Sequence, residues 1–183
     1  MTKSLIRLFD FLFSFLGLIL LFPILVIIFI IGLFLNGSPL FKQKRVGCEQ
    51  KQFILIKFRS MEIETKSAPT HLIDKSKITP FGNFLRRSKF DELPQLFNVL
   101  LGEMSLVGPR PCLTNQKKLI IEREKRGVYR VKPGITGLAQ ISGIDMETPK
   151  LLAKTDLIMI KKMNLYYYFY YIYKTLTLVL KKK

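Results

Sequence analysis

Two adjacent carboxylates, Asp91 and Glu92, are the side chains of this sequence best placed to do chemistry. Arginines flank them on both sides, namely Arg86, Arg87 and Arg110, the last of which lies between two prolines. Carboxylates among arginines are the components of a site that binds phosphate groups and holds a divalent cation. The simpler interpretation is that the pair only caps a helix, because acidic residues often stand at helix starts.

The elements around this pair can be predicted from capping residues. Thr79 followed by Pro80 is typical of a helix N-terminus. A second helix should start at Ser88, or at Leu93 with Pro94, and end at Gly102, because the residues from Leu96 to Leu101 are largely apolar. The two carboxylates would then lie at the N-terminus of the second helix, where the helix dipole favours ionised acids.

Other basic residues and glycines could complete such a site. Lys57 and Arg59 lie on a predicted strand, where they either extend the site or form an ordinary solvated face. Gly134 and Gly137 permit backbone turns that bring N–H groups close to an anion. A glycine-bearing loop is more often only a turn, so this feature by itself indicates little.

Length and composition restrict the class of protein. At 183 residues the chain has room for one domain. Its formal charge of +17 requires an anionic partner, which can be nucleic acid, an acidic membrane surface or a phosphorylated substrate. Apolar residues make up 49%, which is unusual for a soluble nucleic-acid binder. Cys48 and Cys112 do not make a disulfide framework, and the lone His71 argues against a histidine-based metal site or triad.

The N-terminal residues 1–38 are predicted to be a membrane segment. The run 11–35 is apolar, uncharged and long enough to cross a bilayer as one helix. A cleaved signal peptide is the alternative, but the run is longer than an h-region and no clear cleavage site follows it. Basic residues on both flanks favour the cytoplasm for both ends, and Pro23 permits a kink. We therefore predict a re-entrant hairpin helix that enters and leaves by the cytoplasmic face.

Residues 39–163 are predicted to form a mostly helical α+β domain on the cytoplasmic side. Residues 41–46 and 51–59 read as two short strands joined by a glycine turn, which predicts a small β-hairpin. The polar segment 62–77 is expected to be a mobile loop beside the site. Residues 114–126 are expected to form a charged helix.

Residues 164–183 form a third unit, which holds six of the seven tyrosines and ends in three lysines. Tyrosine favours the membrane–water interface, and lysine binds anionic lipid headgroups. An aromatic core helix is the alternative, but the tyrosines occupy every face of a helix. We predict an amphipathic helix that lies on the membrane surface.

Five blocks of the sequence, taken in order, resemble the bacterial sugar transferase family, the monotopic phosphoglycosyl transferases that start glycan assembly on a polyprenol phosphate. They are PLFKQKRVG (39–47), FILIKFRSM (53–61), DELPQLFNVL (91–100), MSLVGPRP (104–111) and VKPGITGLAQISG (131–143). The resemblance covers nearly the whole chain. It departs from the family at Phe22, where serine often precedes the proline, and at residues 144–147, where a basic or amide residue is common.

The resemblance implies that the chain transfers a phospho-sugar from a UDP-sugar to a polyprenol phosphate, such as undecaprenyl phosphate, and releases UMP. It implies Asp91 as the nucleophile and the ligand of Mg²⁺, with Glu92 as a positioning or proton-accepting group. Residues expected to bind substrate phosphates are Lys57, Arg59, Arg86 and Arg110. Residues expected to line the nucleotide-sugar pocket are Pro133, Gly134, Thr136, Gly137 and Gln140.

The same resemblance places the protein in the bacterial inner membrane, with its catalytic domain facing the cytoplasm. Its expected partners are anionic lipids and downstream glycosyltransferases, and no nucleic acid. Two other functions stay open: a non-catalytic scaffold for glycan assembly and a membrane-associated nucleic-acid binder. The sequence does not specify the sugar, the polyprenol, the pathway or the oligomeric state.

Overall fold

The computed structural model describes residues 2–63 and 75–181, in which helices predominate. Its helices are α1 (Thr2–Asn36), α2 (Pro80–Ser88), α3 (Gln95–Leu100), α4 (Lys117–Lys125), α5 (Leu138–Ile141), α6 (Pro149–Lys162) and α7 (Leu165–Lys181). Its strands are β1 (Leu40–Val46), β2 (Gln52–Phe58), β3 (Ser105–Val107) and β4 (Gly134–Thr136). The predicted mixture of helix and strand, mostly helical, is confirmed. The helix predicted over residues 114–126 is present as α4, which spans Lys117–Lys125, so the prediction is confirmed except at its ends.

Helix α1 runs without interruption through Pro23. Many of its large apolar side chains are exposed. Among the described residues it is the one helix long and apolar enough to cross a membrane, by length and composition alone. The predicted membrane segment is thus one continuous helix rather than two separate arms, and its re-entrant course stays a prediction.

Strands β1 and β2 form the predicted hairpin. They pair antiparallel, with Leu40 opposite Phe58 and Val46 opposite Gln52. Phe53 and Leu55 of β2 are buried against α3 and the residues that follow it. The loop predicted over residues 62–77 falls largely on residues 64–74, which lie outside the described part of the chain together with His71.

The segment between α2 and α3 carries the two carboxylates. The hydroxyl of Thr79 accepts a hydrogen bond from the backbone N–H of Gly82, which confirms the predicted start of α2. Gly102 has φ +85°, in the left-handed region that suits the end of α3. The prediction that the carboxylates lie at the N-terminus of the second helix is wrong. They lie in a 3-10 turn over residues 90–92, because the left-handed Lys89 ends α2 and α3 begins only at Gln95.

Strands β3 and β4 bring two distant blocks of sequence together. They pair parallel, with Ser105 beside Gly134 and Val107 beside Thr136. A Cβ atom at Gly134 would lie 1.9 Å from the backbone nitrogen of Gly108, so only glycine permits this approach. The start of β4 therefore packs directly against the segment after β3 that leads to Arg110.

Helix α7 has one face in the core. Tyr168 and Tyr171 are buried and pack in a cluster with Val107 and Met159. Tyr166 and Tyr173 are exposed on the opposite side. One face of α7 thus packs in the core, as in the alternative of an aromatic core helix, and burial of its tyrosine rings stabilises the domain. The predicted contact of this helix with the membrane surface stays a prediction. Lys182 and Lys183, which follow this helix, lie outside the described residues. The predicted division of the chain into three units stays a prediction.

The N-terminal part of α1 is bound to this same core. A carboxylate oxygen of Asp10 accepts hydrogen bonds from Ser105 Oγ at 3.0 Å, Leu106 N at 2.9 Å and Tyr168 Oη at 2.9 Å. The guanidinium of Arg7 donates to the carbonyl of Val99 at 2.6 Å, at the end of α3. These contacts fix α1 to the strand that leads to Arg110.

Candidate active site

The carboxylates of Asp91 and Glu92 differ in their surroundings although they are neighbours in sequence. Asp91 is buried, with 7% of its surface exposed. Its Oδ1 atom accepts no hydrogen bond from any residue that the structure describes. Glu92 instead accepts a hydrogen bond from Nη2 of Arg110 at 2.9 Å. One carboxylate is thus paired, and the other keeps an oxygen available to a ligand.

Cationic side chains surround Asp91 and Glu92. Those whose charges act on one or both are Lys57 from β2, Arg86 and Lys89 from the end of α2, and Arg110 after β3. The Nε atom of Arg86 donates to Ser60 Oγ at 2.8 Å, which fixes the guanidinium beside the site. The structure therefore brings together Lys57, Arg86 and Arg110, three of the four residues predicted to bind phosphate.

The two carboxylates also differ in acidity. Burial raises the pKa of Asp91 to about 6, and the negative charge of Glu92 adds to this shift. Burial opposes the ionisation of Glu92 as well, but the positive charges of Arg110 and Lys89 outweigh it and hold its pKa below the ordinary value. Glu92 is therefore ionised at neutral pH. Asp91 is the carboxylate whose ionised form would be stabilised more by an approaching cation or electrophile, because Glu92 is already paired with Arg110.

The cations in turn repel one another. Burial lowers the pKa of Lys57 to about 8, although the charge of Asp91 partly offsets it. Burial and the charge of Arg110 lower the pKa of Arg45 to about 10. A bound anion such as a diphosphate would relieve this repulsion and stabilise both cations. The electrostatics of the site thus favour a phosphorylated ligand.

This acidity of Lys57 gives a testable pH dependence. The ammonium form is present below its pKa and is lost as pH rises through about 8, so kcat/KM should fall by about tenfold per pH unit above that value. In Lys57→Arg the charge persists, and the alkaline fall should move to higher pH. Measuring kcat/KM from pH 6 to 10, with the UDP-sugar donor that the sequence resemblance implies, checks this. Lys44→Arg on the exposed face of β1 is the matched control and should keep the fall. An unchanged fall in Lys57→Arg would contradict the assignment.

The backbone around Arg110 is held by two further arginines. Arg123 Nη1 donates to the carbonyl of Arg110 at 2.8 Å, and Arg45 Nη1 donates to the carbonyl of Pro111 at 3.0 Å. Arg123 also forms a buried ion pair with Asp156, with Nη2 and Oδ2 2.8 Å apart. Two elements distant in sequence, β1 and α4, thus fix the segment that presents the Arg110 guanidinium.

Sequence reasoning missed Arg45, Arg123 and Asp156. For Arg45 the sequence contained a signal. Side chains alternate between the two faces of a strand, so when Lys42 and Lys44 are exposed, Arg45 lies on the opposite face. For the pair on α4 and α6 no local signal existed. Their residues are 33 positions apart and meet only in the folded core.

Arg59 lies elsewhere in the fold. Its Nε atom donates to the carbonyl of Ser38 at 2.9 Å, where the chain leaves α1. Its guanidinium also lies over the ring of Phe41, with Cζ 5.5 Å from the ring centroid. The structure thus directs Arg59 towards the end of the membrane helix rather than towards Glu92. Its predicted role in binding phosphate stays untested.

The five residues predicted to line the nucleotide-sugar pocket lie beside Arg110 but are mostly used within the fold. The residues of this group that are buried are Pro133, Gly134, Thr136 and Gly137. The N–H of Gly134 donates to the carbonyl of Pro109 at 2.9 Å, so it is not directed at an anion. Gln140 is half-buried, and its Oε1 atom has no hydrogen-bond partner among the described residues. Gln140 is the member of this group whose side chain retains a polar atom for a ligand.

Comparison with known proteins identifies relatives for nearly the whole chain. A family model described as bacterial sugar transferase matches residues 1–182. A UDP-glucose:undecaprenyl-phosphate glucose-1-phosphate transferase of Xanthomonas campestris pv. campestris is 47% identical over 122 residues, covering 63% of this chain and 25% of the relative. An uncharacterized sugar transferase, EpsL, of Bacillus subtilis strain 168 is 50% identical over 108 residues, covering 58% of this chain and 53% of the relative.

A third relative extends over most of the chain. A UDP-galactose-lipid carrier transferase of Erwinia amylovora is 33% identical over 183 residues, covering 89% of this chain and 38% of the relative. The chain thus spans between about a quarter and about half of the length of these three relatives. The range matched by the family model includes the carboxylate pair and the cations around it.

Proposed function

The chain belongs to the bacterial sugar transferase family, and on that premise we propose that it transfers a phospho-sugar from a UDP-sugar to a polyprenol phosphate. One relative is named for UDP-glucose and undecaprenyl phosphate, and another for UDP-galactose and a lipid carrier. These names support a UDP-sugar donor and a lipid phosphate acceptor, and they leave the sugar open. The observation that carries the proposal is the buried Asp91, with an unpaired oxygen, among cations.

In the proposed reaction Asp91 is the nucleophile. A carboxylate oxygen attacks the phosphorus next to the sugar, and the bond from that phosphorus to the bridging oxygen breaks, so that UMP leaves with the electron pair. An oxygen of the polyprenol phosphate then attacks the same phosphorus. The bond to Asp91 breaks, the carboxylate is regenerated, and a polyprenyl-diphosphate-sugar forms. Charge balances in both steps without a net transfer of a proton.

The other residues of the site have distinct roles in this proposal. Lys57, Arg86 and Arg110 bind the phosphate oxygens and neutralise charge that would otherwise repel the carboxylate. Glu92, ionised and paired with Arg110, holds that guanidinium in place. The buried site excludes water, which would otherwise compete with the lipid phosphate for the intermediate.

The carboxylates also fit the expected magnesium ion. Mg²⁺ is commonly held by one or two carboxylates together with substrate phosphates, so a large cluster of acidic ligands is not required. The unpaired oxygen of Asp91 and the neighbouring Glu92 provide such donors. Magnesium bound there would neutralise charge on the diphosphate.

We further propose that both ends of α1 lie on the cytoplasmic face, beside the catalytic domain. Arg7 and Asp10 bind α3 and β3 near one end of α1, and β1 follows at the other end. A straight helix over residues 10–36 would be about 39 Å long, more than the hydrocarbon thickness of roughly 30 Å. A single domain that contacts both ends supports a re-entrant course over a transmembrane one.

This topology can be tested with single cysteines. We expect neither Thr2→Cys nor Lys44→Cys, in a Cys48→Ser background, to react with a membrane-impermeant thiol reagent on intact cells, and both to react after lysis. Buried Cys112 can remain, because the reagent cannot reach it. Labelling of residue 2 from outside would show that α1 crosses the membrane.

The function is tested by turnover with a panel of donors. Membranes containing the full chain are incubated with each of several UDP-sugars, undecaprenyl phosphate and Mg²⁺, and UMP release is measured. We expect release with one or a few sugars, together with a lipid-linked product. Absence of UMP with every donor, from folded protein, would favour a scaffold role.

A further inference from the structure

A cavity of about 580 Å³ lies between the end of α1 and the β1–β2 hairpin. Phe29 of α1, Phe41 of β1 and Ile63 after β2 provide much of its apolar lining, and Lys42 and Arg59 provide its charge. The volume is within the range typical of ligand sites. We propose that this cavity binds the phosphate and the first isoprene units of the polyprenol phosphate. This inference rests on the proposed function, for which it names the acceptor subsite.

The apolar side of the cavity continues onto the surface of α1. Phe29 lies on the cavity wall, and the exposed side chains of Phe22, Val26 and Leu33 lie on the same face of the helix, at spacings of seven, three and four residues from it. A long polyprenol does not fit in 580 Å³. Its remaining units would instead lie along this exposed apolar surface, which is the part of α1 that we expect within the membrane. An amphiphile with an anionic head therefore fits the site better than a soluble nucleotide.

The charged side of the cavity points to a phosphate. Arg59 uses Nε and Nη2 to hold Ser38 and Leu40, which fixes its guanidinium at the cavity wall. Lys42 contributes a second cation on the same wall. A phosphate monoester with two negative charges is complementary to this pair, whereas a typical phospholipid diester carries only one.

Phe41 lines the cavity and also contacts a cation of the candidate active site. Both Lys57 and Arg59 lie near its ring, with Lys57 Nζ 5.3 Å and Arg59 Cζ 5.5 Å from the ring centroid. Lys57 is one of the cations whose charges act on Asp91. A phosphate held at Arg59 would thus lie one side chain away from the residues around the intermediate. The acceptor phosphate must lie close to the intermediate, because one of its oxygens attacks the phosphorus that is bound to Asp91.

Two variants test the acceptor site by kinetics. Arg59→Gln removes the charge, and Ile63→Glu adds a negative charge at the exposed rim, where folding should tolerate it. Each is expected to raise KM for undecaprenyl phosphate by about tenfold or more, with a much smaller change in KM for the UDP-sugar. Lys44→Gln, on the same hairpin but outside the cavity lining, is the matched control and should change neither. Equal KM for the lipid in the native chain and in Ile63→Glu would overturn the proposal.

A binding experiment separates this inference from the proposed function, because it needs no turnover. The full chain in nanodiscs is photo-crosslinked with a short polyprenyl phosphate that carries a benzophenone, and labelled peptides are identified by mass spectrometry. Labelling of peptides containing Phe29, Phe41 or Ile63, reduced by undecaprenyl phosphate but not by phosphatidylglycerol, is expected. Equal competition by phosphatidylglycerol would indicate a general phospholipid contact, and labelling only at α7 would place the acceptor elsewhere. Either result would overturn the proposed site even if the enzyme turns over normally.

Discussion

Asp91→Asn is expected to abolish the covalent intermediate and to reduce turnover by several orders of magnitude, because a carboxamide is a poor nucleophile. When the native chain is incubated with its UDP-sugar and Mg²⁺ but without lipid, it should gain the mass of a phospho-sugar and release one equivalent of UMP. Intact-protein mass spectrometry measures the adduct, and peptide mapping locates it. The near-isosteric amide should fit the buried position, so folding should persist.

Two other variants define what the result means. Asp145→Asn makes the same chemical change at an exposed residue and should leave the adduct intact. Glu92→Gln weakens the hold on Arg110, so it should slow the reaction while any trapped adduct still maps to Asp91. If UMP appears only after lipid phosphate is added, transfer is direct. The role of Asp91 would then be reduced to binding the metal.

Arg110→Lys is expected to lose most activity while the protein still folds. The guanidinium donates to Glu92 from Nη2, and a planar fork can present its other N–H groups to a phosphate. Lysine can keep the contact with Glu92 or bind the phosphate, but it cannot copy both geometries. Loss of one charge-assisted hydrogen bond corresponds to about 2 kcal/mol, or roughly 30-fold in kcat/KM. Initial rates of UMP release measure this.

Arg126→Lys is the matched control for that change. Arg126 forms a comparable pair with Glu122 on α4, away from the carboxylates. Its replacement should leave the rate and the thermal unfolding midpoint nearly unchanged. Near-normal turnover of Arg110→Lys would reduce the Pro-Arg-Pro segment to a structural turn, and a large loss of thermal stability would show that its main role is in folding.

The proposed difference between Asp91 and Glu92 does not follow from their adjacency alone. In the 3-10 turn successive side chains point about 120° apart, which only ensures that they face different neighbours. The fold then supplies those neighbours. Arg110, which is 18 residues further along, pairs with Glu92, while the hairpin and the surrounding core bury Asp91. The role of each carboxylate is therefore a consequence of tertiary packing.

Local features of the fold were predictable from the sequence because they depend on neighbours a few residues apart. Thr79 caps α2 through a bond to Gly82, three residues later, and Gly102 adopts the positive φ expected at a helix end. The β1–β2 hairpin followed from two short strand-like segments joined around Gly47. The family followed from five ordered blocks of residues, and the family match shows it. The structure places Lys57, Arg86 and Arg110 near the carboxylates, as the resemblance implied, whereas their binding of phosphate stays a prediction.

The tertiary structure alone decided which side chains are buried and which distant residues pair. The sequence could not show that Tyr168 would bind Asp10, 158 residues away, and so could not show that one face of α7 packs in the core. Nor could it show that Arg123 and Asp156 would pair behind Arg110, or that Arg59 would face the end of α1 instead of the carboxylates. A tyrosine, an arginine or an aspartate is compatible with either water or a paired interior. Which of these it meets is set by segments that become neighbours only when the chain folds.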